Sequence, residues 1–210
     1  MTMIIFVMGA TGRTGRALVQ QGLARGHVIT AFGRSALNAP GNKSLRALIG
    51  NPLAADSLTA ALRGQEAVLS VLGSRGIGTT IVRSSGARAT IEAMRRTGVR
   101  RLIIISSALV DAGGGWLSVF LARTLARHIA RDQRDMEELV SQSGLDWTVV
   151  RPALLDNSPL TGRYAASPVG SDEPASYSRM GRADVACMML DSLERGTYVK
   201  QVVRLGRVRA

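Results

Sequence analysis

Lysine is almost missing from this chain: of its 27 basic residues only Lys43 and Lys200 are lysine, and Ala39 and Gly196 stand four residues before them. That excludes the Tyr-x-x-x-Lys device, in which a lysine lowers the pKa of a tyrosine that hands a proton to an alcohol oxygen, and with it ordinary ketone–alcohol exchange by that route. Cysteine is reduced to Cys187, inside a helical pattern from Val185 to Leu193, so neither an internal disulfide nor a cysteine-built metal site is available. No hydrophobic run is long enough to span a bilayer. Met1 to Met8 lacks a basic leader and runs into a glycine turn, so it reads as a first buried strand and not as a signal peptide. These absences lead us to expect one cytoplasmic domain over residues 1–210, with no membrane partner.

Acid is also scarce, 15 residues against 27 basic ones, for a formal charge of +12. Such a balance attracts nucleic acid, membrane surfaces or phosphorylated small molecules. The arginines are scattered (Arg13, Arg34, Arg63, Arg83, Arg100, Arg151, Arg182), with no basic run interleaved with aromatics and no recognition-helix pattern. A nucleic-acid partner is therefore not expected. A phosphorylated small molecule remains.

What is present is a rhythm. Met3–Met8, Val28–Phe32, Leu45–Gly50, Ala67–Leu72, Arg101–Ser106 and Trp147–Arg151 are short Val/Ile/Leu-rich runs separated by helical stretches. Strands and helices in turn predict an α/β fold: a doubly wound, Rossmann-like parallel sheet in the order 3-2-1-4-5-6 with helices on both faces. Gly26 and Gly98 sit where helix ends need a left-handed residue. After Pro152 the rhythm breaks, and residues 152–180 read as an irregular segment on the substrate side. A last helix, Arg182–Leu193, and a seventh strand, Thr197–Leu205, follow.

The first turn carries the clearest chemistry. In "MIIFVMGATGRTGRALV" Gly9 can take a conformation barred to other residues, Gly12 admits a pyrophosphate to the backbone, and Gly15 lets the helix pack on the strand. The anion would rest on the helix N-terminus. At the end of the second strand stands Arg34, where an NAD enzyme would carry a carboxylate for the ribose 2′-hydroxyl. A cation there suits the 2′-phosphate of NADP(H), with Ser35 able to donate to the same group and Arg13 adding charge.

"GATGRTG", "GRS" after strand two, "AVLSVLGSRG" at strand four, "RRLIIISSA" at strand five, "SGLDWTVVRPALL" at strand six and "PLTGRY" beyond it carry a further likeness. From Met3 to about Gly206 the chain resembles the atypical short-chain dehydrogenase/reductase family of NAD(P)H-binding proteins, on its biliverdin reductase B or NADPH-dependent flavin reductase branch. The resemblance implies that Gly9, Thr11, Gly12, Arg13, Thr14 and Gly15 hold the pyrophosphate and that Arg34 and Ser35 hold the 2′-phosphate. It places Asn51 and Pro52 by the adenine, Leu72, Gly73, Ser74 and Arg75 by the ribose and phosphates, and Ser106, Ser107, Pro152 and Ala153 by the nicotinamide. The chain departs from that pattern at Asn51, where the family commonly has Asp, and at Ala153, where the branch carries histidine.

Without a tyrosine–lysine pair, the chemistry left is hydride transfer to an acceptor that takes its proton from solvent: a flavin, a quinone or a conjugated tetrapyrrole. Ser107, at the end of strand five, is the candidate catalytic polar group, or else a hydroxyl that caps the strand or bonds the nicotinamide amide. Trp116 and Phe120, after the glycines of "DAGGGWLSVFLA", offer either a wall for a flat acceptor or a helix-packing or dimer contact. Tyr164 and Tyr177 line the substrate opening or pack it. His27 reads as structural, and His128 lies on a solvated helix face. The expectation is an NADPH-dependent reductase of a planar acceptor, monomeric or homodimeric. The alternative is a redox sensor of the NmrA type that binds the dinucleotide without turnover.

Overall fold

The computed structural model describes residues 1–35, 37, 42–73, 81–110, 127–152, 154–171 and 179–207. Its centre is an eight-stranded sheet in the order β3-β2-β1-β4-β5-β6-β10-β8. The strands are β1 (Ile4–Met8), β2 (Val28–Gly33), β3 (Leu45–Ile49), β4 (Ala67–Ser70), β5 (Arg101–Ile105), β6 (Asp146–Pro152), β8 (Ala165–Pro168) and β10 (Gln201–Gly206). Every neighbouring pair is parallel except β10 with β8. The expected order 3-2-1-4-5-6 is thus the body of the sheet, and the seventh parallel strand is β10.

Covering both faces explains why the central strands read as unbroken apolar runs. Ile5, Val7, Leu69 and Ile103 point to one core with Leu18, Val19, Val185 and Met189. These last four come from α1 (Arg13–Ala24) and the final helix, α5 (Arg182–Glu194). Phe6, Met8, Val68, Leu102 and Ile104 point to the other core. There they meet α2 (Ala55–Leu62), α3 (Val82–Thr97) and α4 (Arg127–Ser141). Edge strand β3 is half exposed instead.

Two details differ from the pattern read in the sequence. β10 begins at Gln201 and not at Thr197, because Tyr198 and Lys200 take left-handed backbone, each with φ of 59°, in a turn no strand can contain. Within the irregular segment two short strands, β7 (Leu155–Asp156) and β9 (Met180–Gly181), pair in parallel above β6. The "PLTG" turn between them is held by buried Asp184 of α5, whose Oδ1 accepts the N–H groups of Thr161 at 2.8 Å and Gly162 at 2.9 Å, while its Oδ2 accepts the Thr161 hydroxyl.

Gly26 and Gly98 are left-handed, with φ of 82° and 77°. His27 is structural: buried at the foot of β2, it accepts the Met3 N–H on Nδ1 and meets Glu194 through Nε2 at 2.8 Å. No helix among the described residues is long and apolar enough to cross a membrane.

Candidate functional site

All the parallel strands end at one edge of the sheet, and the β1–α1 turn lies there. Gly9 has φ of +84°, and a Cβ on it would stand 3.0 Å from the Val71 carbonyl oxygen. The N–H groups of Gly9 and Ala10 both reach Phe32 O, at 3.0 and 3.3 Å, which staples the turn to the end of β2. Gly12 is extended, with φ of −71° and ψ of 166°, so its need for glycine comes from approach and not from conformation. Gly15 is the tightest of the three: a Cβ there would lie 2.2 Å from Gly9 O and 2.7 Å from Ala10 Cα.

Helix α1 starts with no side-chain cap and no acidic residue in its first turn. Its first intrahelical bond is Arg16 N–H to Gly12 O, at 2.9 Å. The N–H groups ahead of that bond and the helix dipole leave a positive, open terminus beside a backbone stripped of side chains. Thr14 and Gly15 are buried, whereas Arg13 is exposed at the lip. Thr11 abuts Gly33, so Arg34 and Ser35, both exposed, follow β2 directly beside the turn.

A second cation joins from far along the chain. Arg182, the first residue of α5, donates through Nη1 to Asp156 O and to Asn157 Oδ1, both at 2.8 Å. Burial lowers its pKa and the charge of Arg13 lowers it further, with Asp156 opposing. Arg182 and Arg13, separated by most of the chain, thus lie near enough for their like charges to oppose one another. Sequence reading missed Arg182 as a site residue, because nothing in the spacing links it to Arg13.

On the other flank, Gly50 N–H bonds Gly33 O at 3.0 Å, and Pro52 is buried. Asn51 is exposed and spends Oδ1 on its own turn, accepting Leu53 N–H at 3.0 Å. Leu72 fits against Gly86 of α3, where a Cβ would stand 2.4 Å from Leu72 Cδ2, and Gly73 is exposed beside it.

At the ends of β5 and β6, Ser106 N–H reaches Val150 O at 2.7 Å, while its buried Oγ has no hydrogen-bond partner among the described residues. Ser107 starts a 3-10 turn (Ala108–Val110), accepting Val110 N–H on its carbonyl at 3.2 Å. Pro152, the last residue of β6, is buried next to this edge. Behind it Arg151 grips Glu137 of α4 with two bonds, Nε to Oε1 at 2.9 Å and Nη2 to Oε2. Asp132, also on α4, accepts the N–H groups of Arg83 at 3.1 Å and Ser84 at 2.9 Å, and so caps α3 from a neighbouring helix.

One site residue must be corrected. The Tyr164 hydroxyl donates to Asp191 near the C-terminal end of α5, and Asp191 is paired with Arg25 just beyond α1. The C-terminal ends of both helices lie at the sheet edge opposite the glycine turn, whereas Tyr164 precedes Ala165, which pairs with Gly206 at the near end of β10; its hydroxyl is spent on fastening α5. Burial and the Asp191 carboxylate both push its pKa up, which makes it a poor acid. Lys43 and Lys200 precede β3 and β10 and also stand at that far edge. Ser74, Arg75, Trp116, Phe120, Ala153 and Tyr177 lie outside the described residues.

A glycine cradle with no room for a Cβ, an uncapped helix start, flanking arginines and an orphaned serine oxygen at the next strand end fit a dinucleotide. The fold and this site define a Rossmann-like dinucleotide-binding protein. The chain belongs to the NAD(P)H-binding family, whose model matches residues 9–195. It is 29% identical over 203 residues to an uncharacterized sugar epimerase of Bacillus subtilis, covering 91% of this chain and 88% of that protein. A candidate NADH-flavin reductase from Streptococcus pneumoniae superposes with a TM-score of 0.76 at 25% identity, covering 98% of this chain and 100% of the other. A short-chain dehydrogenase/reductase from Veillonella parvula in complex with NADP shares the fold, with a TM-score of 0.82 at 20% identity over 98% of this chain and 94% of that one.

Proposed function

We propose that the chain is an NADPH-dependent reductase that passes hydride to a flavin or a similar planar conjugated acceptor, in the manner of the flavin-reductase branch it resembles. The observation that carries this reading is the make-up of the C-terminal edge of the sheet. It joins an anion cradle and arginines to no tyrosine–lysine pair, both lysines being at the opposite edge.

When bound, the cofactor supplies a hydride, that is, two electrons and one proton. The chain's own residues bind and orient. Gly9, Gly12 and Gly15 bring backbone N–H groups up to the pyrophosphate, and Arg13 and Arg182 offset its charge. Arg34, with Ser35, meets the 2′-phosphate and so selects NADPH over NADH. Ser106 and Pro152 border the nicotinamide end, and Ser107 is the polar group offered to the reacting ring. No side chain delivers a proton; the reduced acceptor draws one from solvent, which flavins and quinones tolerate and a simple ketone does not. Alignment of two flat rings face to face is then the main source of rate.

The reading is tested by following NADPH oxidation with FMN, riboflavin, a quinone and biliverdin as acceptors. Flavin turnover, with biliverdin no better, is the expected pattern, since Ala153 replaces the branch's histidine. Turnover of none of them would refute it.

A further inference from the structure

Two buried polar atoms near the C-terminal edge have no partner among the described residues: Ser106 Oγ and Gln133 Oε1, in side chains of residues only 6% and 4% exposed. Both lie on the side of the sheet that α4 covers. Along β5, Leu102 and Ile104 belong to the core under α2, α3 and α4 while Ile103 belongs to the opposite core, so alternation turns Ser106 toward α4. The bond from Ser106 N–H to Val150 O sets it beside Arg151 of β6, and Arg151 holds Glu137 of α4.

Gln133 lies one turn ahead of Glu137, on the buried stripe of Ala130, Gln133, Met136, Glu137 and Val140. Because α4 descends toward the start of β6, that turn carries Gln133 about 6 Å nearer the C-terminal edge. A third orphan, Ser70 Oγ, sits deeper on the same face, in register with Ile104.

The two atoms near the edge are complementary. A serine hydroxyl can donate, whereas Gln Oε1 can only accept. Buried polar atoms left unmet by the protein are met by something else, water or ligand.

We propose that Ser106 and Gln133 form a receptor for an amide edge, a group that offers an N–H and a C=O side by side. Two sources share that chemistry: the carboxamide of the nicotinamide, and the lactam or imide edge of a flat acceptor such as flavin. The inference rests on the NADP(H) reading above.

Gln133→Met keeps the shape of the side chain and removes the acceptor. Two titrations and two kinetic runs then separate the sources. NADP+ is compared with its 3-acetylpyridine analogue, whose ketone has no N–H, and riboflavin with 3-methylriboflavin, whose imide N–H is blocked. If the cofactor supplies the edge, NADP+ binding weakens about tenfold and binding of the analogue does not change. If the acceptor supplies it, KM for riboflavin rises about tenfold while that for 3-methylriboflavin stays put. In both cases the melting temperature is no lower than that of the wild type, since an unmet acceptor has given way to an apolar chain. Should Gln133→Met fail to fold, Gln133→Leu, which also removes the acceptor, carries the same comparison. Equal losses for NADP+ and its analogue would put Gln133 on ribose hydroxyls and overturn the assignment, as would no change in any of the four probes. Wild-type protein that binds no NADP(H) overturns the cofactor reading itself, and this inference with it.

Discussion

On the proposed reading, cofactor choice turns on Arg34. It follows β2 at the point where Thr11 touches Gly33, exposed and beside the glycine turn. A charge-assisted bond to the 2′-phosphate is worth about 1.5–3 kcal/mol, or roughly ten- to a hundredfold in affinity. Arg34→Ala should therefore weaken NADPH by that factor and leave NADH nearly alone; equal losses in parallel calorimetric titrations would move Arg34 off the phosphate. Tyr164 makes the opposite case. Its hydroxyl is spent on Asp191, so Tyr164→Phe should keep most of the flavin-reducing kcat while losing about 1 kcal/mol of stability in urea unfolding. A thousandfold fall in kcat, about 4 kcal/mol, would mean that the tyrosine is an acid after all. Burial would raise the pKa of Asp191, but the bonds from Tyr164 and Arg25 outweigh it and the carboxyl titrates below its ordinary value of 3.8. The stabilisation is thus complete above that value and fades as pH falls through the depressed pKa. The stability gap between wild type and Asp191→Asn should close in the same acid range.

At the scale of elements, the β1–α1 unit separates two roles that the sequence reads as one motif. A Cβ on Gly15 meets backbone at 2.2 Å, which no rotamer can relieve, whereas a Cβ on Gly12 meets only Gly9 O, at 3.2 Å. Gly15→Ala should cost several kcal/mol, of the order of about 3, and shift the unfolding midpoint strongly. Gly12→Ala should fold normally and lose affinity for NADPH and NADH alike, because the methyl stands where the pyrophosphate approaches. Similar melting temperatures for the two variants would contradict this division. The cap on α3 is a second element-scale dependence. Asp132 is 2% exposed and bonds two N–H groups and the Ser84 hydroxyl, so Asp132→Ala should cost about 1–3 kcal/mol, read as a drop in melting temperature of about 2–4 °C per kcal/mol. These contacts were out of reach of the sequence. The glycine spacing announced the turn because only backbone geometry was at stake. Asp132 on α4 capping α3, Asp184 holding the "PLTG" turn and Arg182 facing Arg13 all join segments far apart in the chain, and no local period records such a meeting.

Over the whole molecule, the regular part of the fold was legible because the central parallel strands are buried on both faces and helices follow β1, β3 and β4. β8 was not: "AASP" is short, half-buried and antiparallel, without alternation or a β-branched residue to mark it. The distribution of reactive groups follows from the same geometry. Strand ends near the glycine turn collect Ser106, Ser107, Pro152 and Arg34, while Lys43, Lys200 and His27 fall to the opposite edge and the Tyr164 hydroxyl is spent on Asp191. Among the described residues this edge carries anion-binding groups and no tyrosine–lysine pair, and on the reading proposed above it would hold NADPH against an acceptor that needs no proton from the protein. The direct test is anaerobic NADPH oxidation with riboflavin or FMN. We predict saturable oxidation of NADPH, matched one for one by flavin reduction and faster than with NADH. Tight NADPH binding with no oxidation by flavins, quinones or biliverdin would contradict the account and leave the chain a dinucleotide sensor.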